Sequence, residues 1–348
     1  MKFPELNPHQ KHQIFYVVSA HNSNPNGDPV ADNAPRTNPY SGHGVITAAS
    51  IKRKVRDYIH EKYGDAPGMD IFIKHEDVMA TVAAAALSKA GLQLGVGVSF
   101  TPDELGELLD AGLPEAFDVQ GESVSYNGTL KNAELKKVMK GLAEAGVSDE
   151  TRQKLEQLTS QKLEGADRKQ LQKEARPVMA KSFIDARLFG YTAPDSAGKT
   201  RGPVQMTDAE SLEPVNLLEQ SITRVARSQP GEKEGNGNFG RRTVVDHAAY
   251  VATAHVNPAL AKLQGVTSED LTALLEGLWY GQEAARSSSR PDVRVEALVI
   301  VSHDSPYGNM PSHEVERRLS VQAGERHSYL VEYDQANLPE GVSVQIIR

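Results

Sequence analysis

The chain contains no cysteine among its 348 residues. This absence excludes disulfide bonds and thiolate zinc sites, and it fits a protein of the reducing cytoplasm. Aromatic residues make up only 6% of the sequence, so a nucleic-acid surface built mainly on base stacking is not expected. The apolar run around Val82–Leu87 is far shorter than the ~20 residues of a membrane helix, and the polar N-terminal residues lack the apolar core of a secretion signal. We therefore expect a soluble, cytoplasmic protein with no membrane partner.

Motifs that carry catalytic or metal chemistry are also missing. The sequence has no H-E-x-x-H, no G-x-x-x-x-G-K-[ST], no G-x-S-x-G and no aromatic RNP1 element. Asn22, Asn24, Asn26 and Gly27 match the first positions of a calcium-binding loop, but Asn33 stands where a bidentate Glu is required. We therefore predict no catalytic residue, no metal and no cofactor.

The net charge of −8 is unusual for a protein that binds nucleic acid, but the charge is unevenly distributed. Residues 101–122 carry seven acids and no Lys or Arg, which leaves a net charge of only −1 for the rest of the chain. Residues 45–63 and residues 220–245 each carry five cations against two acids. These two segments are the candidates for a positively charged surface on a protein that is otherwise mildly acidic.

The most informative segment runs from Ser19 to Tyr58. Apolar residues alternate along residues 13–21, which predicts a strand that ends at a long polar loop rich in Asn, Pro, Gly and Asp. A basic amphipathic helix follows, with Thr47 or Ser50 at its start and Lys52, Arg53 and Arg56 opposite an apolar stripe. Free N–H groups and the helix dipole favour anions at such a start, so the pattern indicates a grip on a phosphate chain. A solvated helix face gives the same pattern.

Several longer motifs resemble one family. N-P-N-G-D-P-V-A-D-N from residue 24 and S-I-K-R-K-V-R-D-Y from residue 50 resemble the opening of the CRISPR Cascade backbone subunit of type I-C, the Cas-seven family in its Csd-two branch. F-I-D-A-R-L-F-G-Y from residue 183, G-P-V-Q-M-T-D-A-E-S-L-E-P-V-N from residue 202 and G-R-R-T-V-V-D-H-A-A-Y-V from residue 240 agree with it in order. The resemblance extends from residue 13 to about residue 260, with little contribution from residues 64–180.

The resemblance implies an α+β fold with a ferredoxin-like (RRM-like) palm, a helical fingers insertion and an extended thumb loop or hairpin. We expect the palm at residues 1–63 and 181–348, the fingers at 64–180 and the thumb at 198–242. The pattern of segments is compatible with a βαββαβ palm interrupted after its first helix. Its later elements are strand-like residues from Phe183, a strand at Tyr250–Val256, a helix capped by Thr267, and strands at Val293–Val301 and Tyr329–Tyr333.

The resemblance also implies a function and partners. Such proteins are not enzymes, and they polymerise along a CRISPR RNA whose bases pair with a target DNA strand in antiviral defence. The expected partners are CRISPR RNA, the target DNA strand, copies of the same chain, and the Cas-five, Cas-eight and small subunits of type I-C Cascade. A guide holder must accept any spacer, so it should grip sugar and phosphate and leave base edges free.

The candidate RNA-contacting residues combine the basic helix, the polar loop and the thumb. Met206 or Phe239 is the candidate wedge by which the thumb displaces a base, and the arginines near the thumb are candidate phosphate contacts. The full predicted set is His21, Asn24, Asn26, Arg36, Thr47, Ser50, Lys52, Arg53, Arg56, Gln205, Met206, Arg224, Arg227, Phe239, Arg241 and Arg242.

Two other classes of function stay open from the sequence. His21, Asp28 and Asp32 are candidates for a metal or acid/base cluster, as in a metal-dependent target-RNA nuclease that resembles type III backbone proteins, which use an Asp in the corresponding loop. An Asp in a G-D-P turn more often bonds nearby backbone N–H groups. A filament protein that needs no nucleic acid is the third class.

Overall fold

The computed structural model describes residues 2–64, 66–75, 77–92, 94–161, 165–193, 197–223 and 239–348. Its strands are β1 (Lys11–Ser23), β2 (Gly27–Asp28), β3 (Ala34–Pro35), β4 (His43–Ile46), β5 (Val98–Ser99), β6 (Phe117–Gln120), β7 (Ser123–Tyr126), β8 (Gly190–Ala193), β9 (Gly198–Arg201), β10 (Val204–Met206), β11 (Ala209–Pro214), β12 (Leu217–Thr223), β13 (Phe239–Val256), β14 (Val293–His303), β15 (Leu319–Ala323), β16 (Tyr329–Tyr333) and β17 (Val342–Ile347). Its α-helices are α1 (Ala48–Tyr63), α2 (Met79–Lys89), α3 (Pro102–Asp110), α4 (Asn132–Glu144), α5 (Asp149–Ser160), α6 (Gly165–Ser182), α7 (Ile184–Phe189), α8 (Pro258–Gln264), α9 (Ser268–Ala284) and α10 (Ser312–Arg317).

The chain divides into two compact units, one formed by residues 1–64 and 203–348 and the other by residues 65–202. The first boundary lies where the sequence predicts the insertion to begin. The second boundary is at residue 203 and not at 181, because α7, β8 and β9 pack within the insertion. The predicted palm is therefore shorter at this boundary than the sequence indicates.

The first unit is built on a large antiparallel sheet with the strand order β17-β14-β1-β13-β11-β4. Strand β10 and strand β12 also pair with the long strand β13. The Tyr16 hydroxyl accepts a hydrogen bond from Gln282 of α9 at 3.0 Å, so the even-numbered residues of β1 face the helices. On the other face, Phe15 and Val17 pack in a core cluster with Val331 of β16. Strand β1 is therefore buried on both faces, between helices and the β15–β16 hairpin.

Helix starts follow the sequence closely. Thr47 caps α1 through a 3.2 Å hydrogen bond from the Ser50 backbone N–H to its hydroxyl. Thr267 and Asp270 form a reciprocal capping box at the start of α9. Both predicted helices are confirmed, as are the strands at residues 13–21, 250–256, 293–301 and 329–333.

Three features of the sheet differ from the sequence-based expectation. The apolar residues from Phe183 were predicted to begin a strand, but residues 184–189 form α7, with every residue buried. Short apolar runs do not distinguish a strand from a helix buried on all sides. Strand β16 pairs with β15 in a separate sheet, and the strand beside β14 at the edge of the main sheet is β17, which was not predicted.

The predicted thumb, residues 198–242, is divided among three structures. Strand β9 pairs with β8 in the second unit, while β10 and β11 pair with β13 in the main sheet. The hairpin stem is formed by β12 and the first part of β13, paired from Leu217 with Val245 to Thr223 with Phe239. Residues 224–238 lie outside the described residues.

The second unit depends on a buried carboxylate. Asp185 is 1% exposed, and it accepts hydrogen bonds from the backbone N–H groups of Phe72 at 2.7 Å and Ile73 at 3.2 Å. We expect Asp185→Ala to lower the free energy of unfolding of this unit by about 2–4 kcal/mol, because it leaves buried N–H donors without an acceptor. Urea unfolding followed by hydrogen exchange of residues 66–92 measures the loss. The exposed Asp77 provides the control, since Asp77→Ala should change stability by less than about 0.5 kcal/mol.

Candidate nucleic-acid interface

The start of α1 is held by the polar loop that precedes it. Asn26 Oδ1 accepts hydrogen bonds from the backbone N–H and the hydroxyl of Thr47, both at 2.9 Å. The Ala48 backbone N–H donates to Asp208 Oδ1 at 2.7 Å. The amide groups of Thr47, Ala48 and Ser50 therefore already have protein acceptors, and the prediction that free N–H groups at this point bind phosphate is wrong for these three. The side-chain cations are the remaining candidates for anion binding.

Those cations lie in four of five consecutive positions of α1, from Lys52 to Arg56. Lys52 and Arg53 are half-buried, and Arg53 Nε pairs with Asp57 Oδ1 at 2.8 Å. Lys54 and Arg56 are only 5% and 8% exposed. Arg56, which was predicted to lie opposite the apolar stripe, is therefore buried as well, and the basic character of α1 extends into its buried side.

Close packing of α9 on α1 contributes to the burial of Lys54. A Cβ at Gly281 would lie 2.9 Å from the Lys54 carbonyl oxygen, and a Cβ at Gly277 would lie 2.8 Å from Val55 Cγ1. Because glycine has no side chain, α9 approaches α1 closely enough to cover more than its apolar stripe. Neither glycine was singled out in the sequence, since their effect depends on which helices pack together.

Two lysines of α1 lie close to other positive charges. Lys54 Nζ donates to two neutral oxygens, Ser50 Oγ at 3.1 Å and the Pro25 carbonyl at 3.4 Å. The pKa of Lys54 is lowered to about 8, mainly by burial and then by the charge of nearby Arg290, while Asp57 opposes both effects. Burial also lowers the pKa of Lys52, with the neighbouring charge of Arg56 acting in the same direction. A bound anion would relieve this repulsion.

The polar loop itself is shaped by internal hydrogen bonds. The buried Asn24 donates from Nδ2 to the Asn33 carbonyl at 2.6 Å and from its backbone N–H to the Ser289 carbonyl at 2.8 Å. Arg36 Nη1 lies 3.5 Å from Asp28 Oδ2. The structure thus places Asn24, Asn26 and Arg36 in the framework of the loop, and their contact with RNA stays a prediction.

Asp28 has the structural role that the G-D-P turn indicates. Its Oδ1 accepts a hydrogen bond from the Val30 backbone N–H at 3.1 Å and caps a short 3-10 helix, Pro29–Ala31. Asp32 ends that helix with a φ of 50°, in the left-handed region. Within the described ranges, no group of three or more His, Asp or Glu side chains is arranged to hold a metal ion.

The hairpin stem joins the loop region through Arg242. The Arg242 guanidinium bonds Gln220 Oε1 across the stem, from Nε at 3.0 Å, and Nη1 donates to the Ser288 carbonyl. Residues 288–290 also contact Asn24 and influence Lys54, so the structure brings the stem, the loop and α1 to one part of the unit. Arg241 is exposed nearby on the same strand, and Phe239 begins it. Arg224 and Arg227 lie outside the described residues.

Gln205 and Met206 are not part of this group. They pair with His255 and Ala254 at the far end of β13. Thirteen positions separate Arg242 from His255, which is roughly 40 Å along a strand. Met206 therefore does not meet the hairpin stem, although the sequence places both in the predicted thumb.

A cluster of histidines was missed by sequence reasoning. His21 Nδ1 lies 3.5 Å from Asp292 Oδ2, and the His21 ring stacks on the ring of His327 with 4.1 Å between centroids. His247, the cross-strand partner of His21, has its ring centroid 5.4 Å from that of His327. The sequence separations are too long for any local pattern to reveal this cluster.

Comparison with known proteins identifies the family. The family model described as "CRISPR-associated protein Cas7" matches residues 10–339. A CRISPR-associated protein Cas7 of Haloferax volcanii is 30% identical over 122 residues, and this match spans 34% of each chain. The protein studied here is therefore a member of the CRISPR-associated protein Cas7 family.

Two chains from solved RNA-guided assemblies are similar to this chain. A chain of a "CRISPR RNA-guided surveillance complex, pre-nicking" is similar with a TM-score of 0.44 and 16% identity, covering 84% of this chain and 78% of the other. A chain of a "CRISPR RNA-guided surveillance complex" is similar with a TM-score of 0.39 and 14% identity, covering 87% and 80%. Among the described residues, no helix is long and apolar enough to cross a membrane.

Proposed function

We propose that this protein is the backbone subunit of a type I-C CRISPR surveillance complex, which polymerises along the spacer of a CRISPR RNA. It grips the sugar-phosphate chain and presents the bases for pairing with a target DNA strand. Its other partners in this proposal are the Cas-five, Cas-eight and small subunits, in the cytoplasm. Membership of the Cas7 family across most of the chain supports the general assignment.

The arrangement of the first unit supports a ferredoxin-like palm. Strands β14, β1, β13 and β11 are neighbours in that order, and each pair is antiparallel. Helix α1 follows β1, and helix α9 lies between β13 and β14 in the chain. A βαββαβ unit has this order, with its first and third strands at the centre. The second unit then corresponds to the fingers and the β12–β13 hairpin to the thumb.

The observation that carries the RNA-binding proposal is the concentration of four cations between Lys52 and Arg56, two of which, Lys54 and Arg56, are only 5% and 8% exposed. Two lysines on this helix have lowered pKa values because of burial and because other cations lie near them. Such an arrangement is costly without a counter-ion, and a polyanion provides one. Since the contacts are to phosphate, binding should depend strongly on salt and little on base sequence.

Lys54 makes RNA binding dependent on pH. Its pKa of about 8 in the free protein means that it loses its proton between pH 7 and 9, whereas a nearby phosphate would hold the proton. Affinity should therefore fall as pH rises, by roughly tenfold between pH 7 and 9 if this one proton is coupled to binding. Fluorescence anisotropy with a short single-stranded RNA measures the profile. In Lys54→Met the profile should be flat, and an equal slope in Lys54→Met and the unaltered protein would refute the linkage.

The same linkage affects folding. An unfolded lysine keeps its proton up to an ordinary pKa of about 10.5, so between pH 8 and 10.5 the unfolded chain binds more protons than the folded one. The stability of the free protein should therefore rise with pH in this window, while RNA affinity falls. The opposite directions separate a loss of binding from a loss of structure.

We propose further that the chain does not cut nucleic acid. The Asp28 carboxylate accepts a hydrogen bond from the Val30 amide and lies near Arg36. Both contacts favour a role for Asp28 in shaping the loop over a role as a metal ligand. The guide-loaded assembly should bind complementary RNA or DNA and leave it intact in Mg²⁺, Mn²⁺ or EDTA, and Asp28→Asn should change only stability or affinity. Regularly spaced, divalent-dependent fragments that disappear in Asp28→Asn or Asp32→Asn would favour the nuclease alternative.

A further inference from the structure

The turn of the β15–β16 hairpin has an unusual backbone. Arg326 and His327 are consecutive non-glycine residues with φ values of 53° and 61°. L-residues seldom adopt this left-handed conformation, and each such residue costs about 1–3 kcal/mol unless its surroundings stabilise it. Two in succession at an exposed turn therefore need a stabilising contact.

Stacking on β1 provides that contact. The rings of His327 and His21 are nearly parallel, with an interplanar angle of 15° and 4.1 Å between centroids. The ring of His247 lies against His327 from the neighbouring strand, at 5.4 Å and 54°. The turn is thereby fixed above the end of β1, where the polar loop begins.

This cluster is not built to hold a metal ion. A metal bound to two imidazoles must lie close to the plane of each ring, and two nearly parallel rings stacked 4.1 Å apart have no such common position. The carboxylates beside the cluster are also engaged. Asp292 Oδ2 is paired with Arg294 Nη2 at 2.8 Å, and Asp246 Oδ2 lies 3.5 Å from His247 Nδ1.

The stack leaves Arg326 exposed at the tip of the turn, next to His327. Next to the turn, the end of β1 is hydrogen-bonded to Asp292, the residue before β14. The His21 backbone N–H donates to the Asp292 carbonyl, and the Asp292 N–H donates to Ser23 Oγ. The same loop before β14 accepts the hydrogen bond from Arg242 of the hairpin stem. The turn, the first loop and the stem thus meet around residues 288–292.

We propose that the β15–β16 turn is an additional contact for single-stranded RNA, in which Arg326 binds a backbone phosphate and His327 positions the turn by stacking on His21. This inference rests on the proposed function, because the phosphate belongs to the RNA that α1 and the first loop hold. A planar guanidinium donates two parallel hydrogen bonds to a phosphate, which suits a contact that does not read sequence. The stacked histidines hold the backbone of the turn in a conformation that it would otherwise avoid.

Arg326→Gly tests this proposal without disturbing the turn. Glycine adopts the left-handed conformation freely, so the variant removes the guanidinium and leaves the fold at least as stable as before. RNA affinity should fall roughly tenfold, and the dependence of log affinity on log salt should become shallower by about 0.7 for one lost phosphate contact. Arg326→Asn, which also tolerates this conformation, should give the same loss, and Arg326→Lys a smaller one.

The control is Arg317→Gly. Arg317 is exposed on α10, whose Glu316 contacts Gln13, eight residues and roughly 26 Å along β1 from His21. The Arg317→Gly variant should leave RNA affinity and its salt dependence unchanged. His327→Ala should reduce affinity as much as Arg326→Gly, and the double variant should bind no worse than either single variant, because one contact is lost in all three.

The outcomes distinguish this inference from the proposed function. If Arg326→Gly and Arg326→Asn bind RNA with the affinity and salt dependence of the unaltered protein, the turn is not an RNA contact, and the proposed function stands on α1 alone. If the unaltered protein does not bind single-stranded RNA in the same anisotropy assay, both proposals fail. A loss of affinity in the Arg326 variants with no loss in Arg317→Gly supports the inference.

Discussion

Lys52→Glu should weaken the binding of single-stranded RNA by roughly a hundredfold while leaving the protein folded. A charge-assisted hydrogen bond to phosphate contributes about 1.5–3 kcal/mol, and reversal of the charge adds repulsion to its loss. Lys52 is half-buried on α1, and its pKa is lowered by burial and, to a smaller extent, by the charge of Arg56. Anisotropy with a labelled RNA, together with circular dichroism and thermal unfolding, measures both parts of the prediction.

Two further variants make the result specific. Lys262→Glu reverses an exposed charge on α8 and should leave RNA affinity within about twofold of the unaltered protein. Arg56→Glu, by contrast, places a carboxylate where the side chain is 8% exposed, so it should destabilise the fold. Arg56 is therefore unsuitable for a binding test. Unchanged affinity in folded Lys52→Glu would refute the role of α1 in binding.

Removal of the β12–β13 hairpin should abolish cooperative assembly on RNA without unfolding the first unit. Leu218 and Val244 are directly paired, so Asn-Gly inserted between them closes a two-residue turn and deletes residues 219–243. The pair Leu217–Val245 and the 2.9 Å hydrogen bond from the Asp246 N–H to the Asn216 carbonyl are retained. Analytical ultracentrifugation on a long RNA should show independently bound single chains.

The stem and the tip of the hairpin are separable. Replacement of residues 224–238 by a Gly-Ser segment of equal length keeps the paired stem. Assembly of this variant on RNA shows whether the stem is sufficient for cooperative assembly without the natural tip sequence. A wider deletion, from residue 200 to 238, is not informative, because it removes β10 and β11 from the main sheet. If the chain without residues 219–243 still forms regular assemblies on RNA, the hairpin is not the thumb.

Local chemistry explains which parts of the fold the sequence predicts. A side-chain cap such as Thr47 acts within one helical turn, and alternation along β1 is visible in a window of nine residues. These elements were therefore placed correctly. The identity of α7 depends on surroundings instead, since Asp185 at its start is held by the amides of Phe72 and Ile73, more than one hundred residues earlier.

The candidate site shows the same division. The basic pattern of α1 is local and was recognised, but Lys54 is covered by close packing against Gly281 of α9, more than two hundred residues away. The charges that lower the pKa of Lys54 include Arg290, which no pattern near residue 54 reveals. The stack of His21 and His327 joins residues from opposite ends of the chain. Sequence spacing predicts which residue types are present, and tertiary packing determines which of them are available to bind.

The central claim is that one chain after another binds along an RNA through its backbone, whatever the base sequence. Mass photometry of the protein with two single-stranded RNAs of equal length and unrelated sequence tests it most directly. The account predicts the same ladder on both RNAs, with successive steps of one chain mass, and no ladder without RNA. A ladder on only one of the two sequences, or assembly of the same size in nuclease-treated protein, would contradict it.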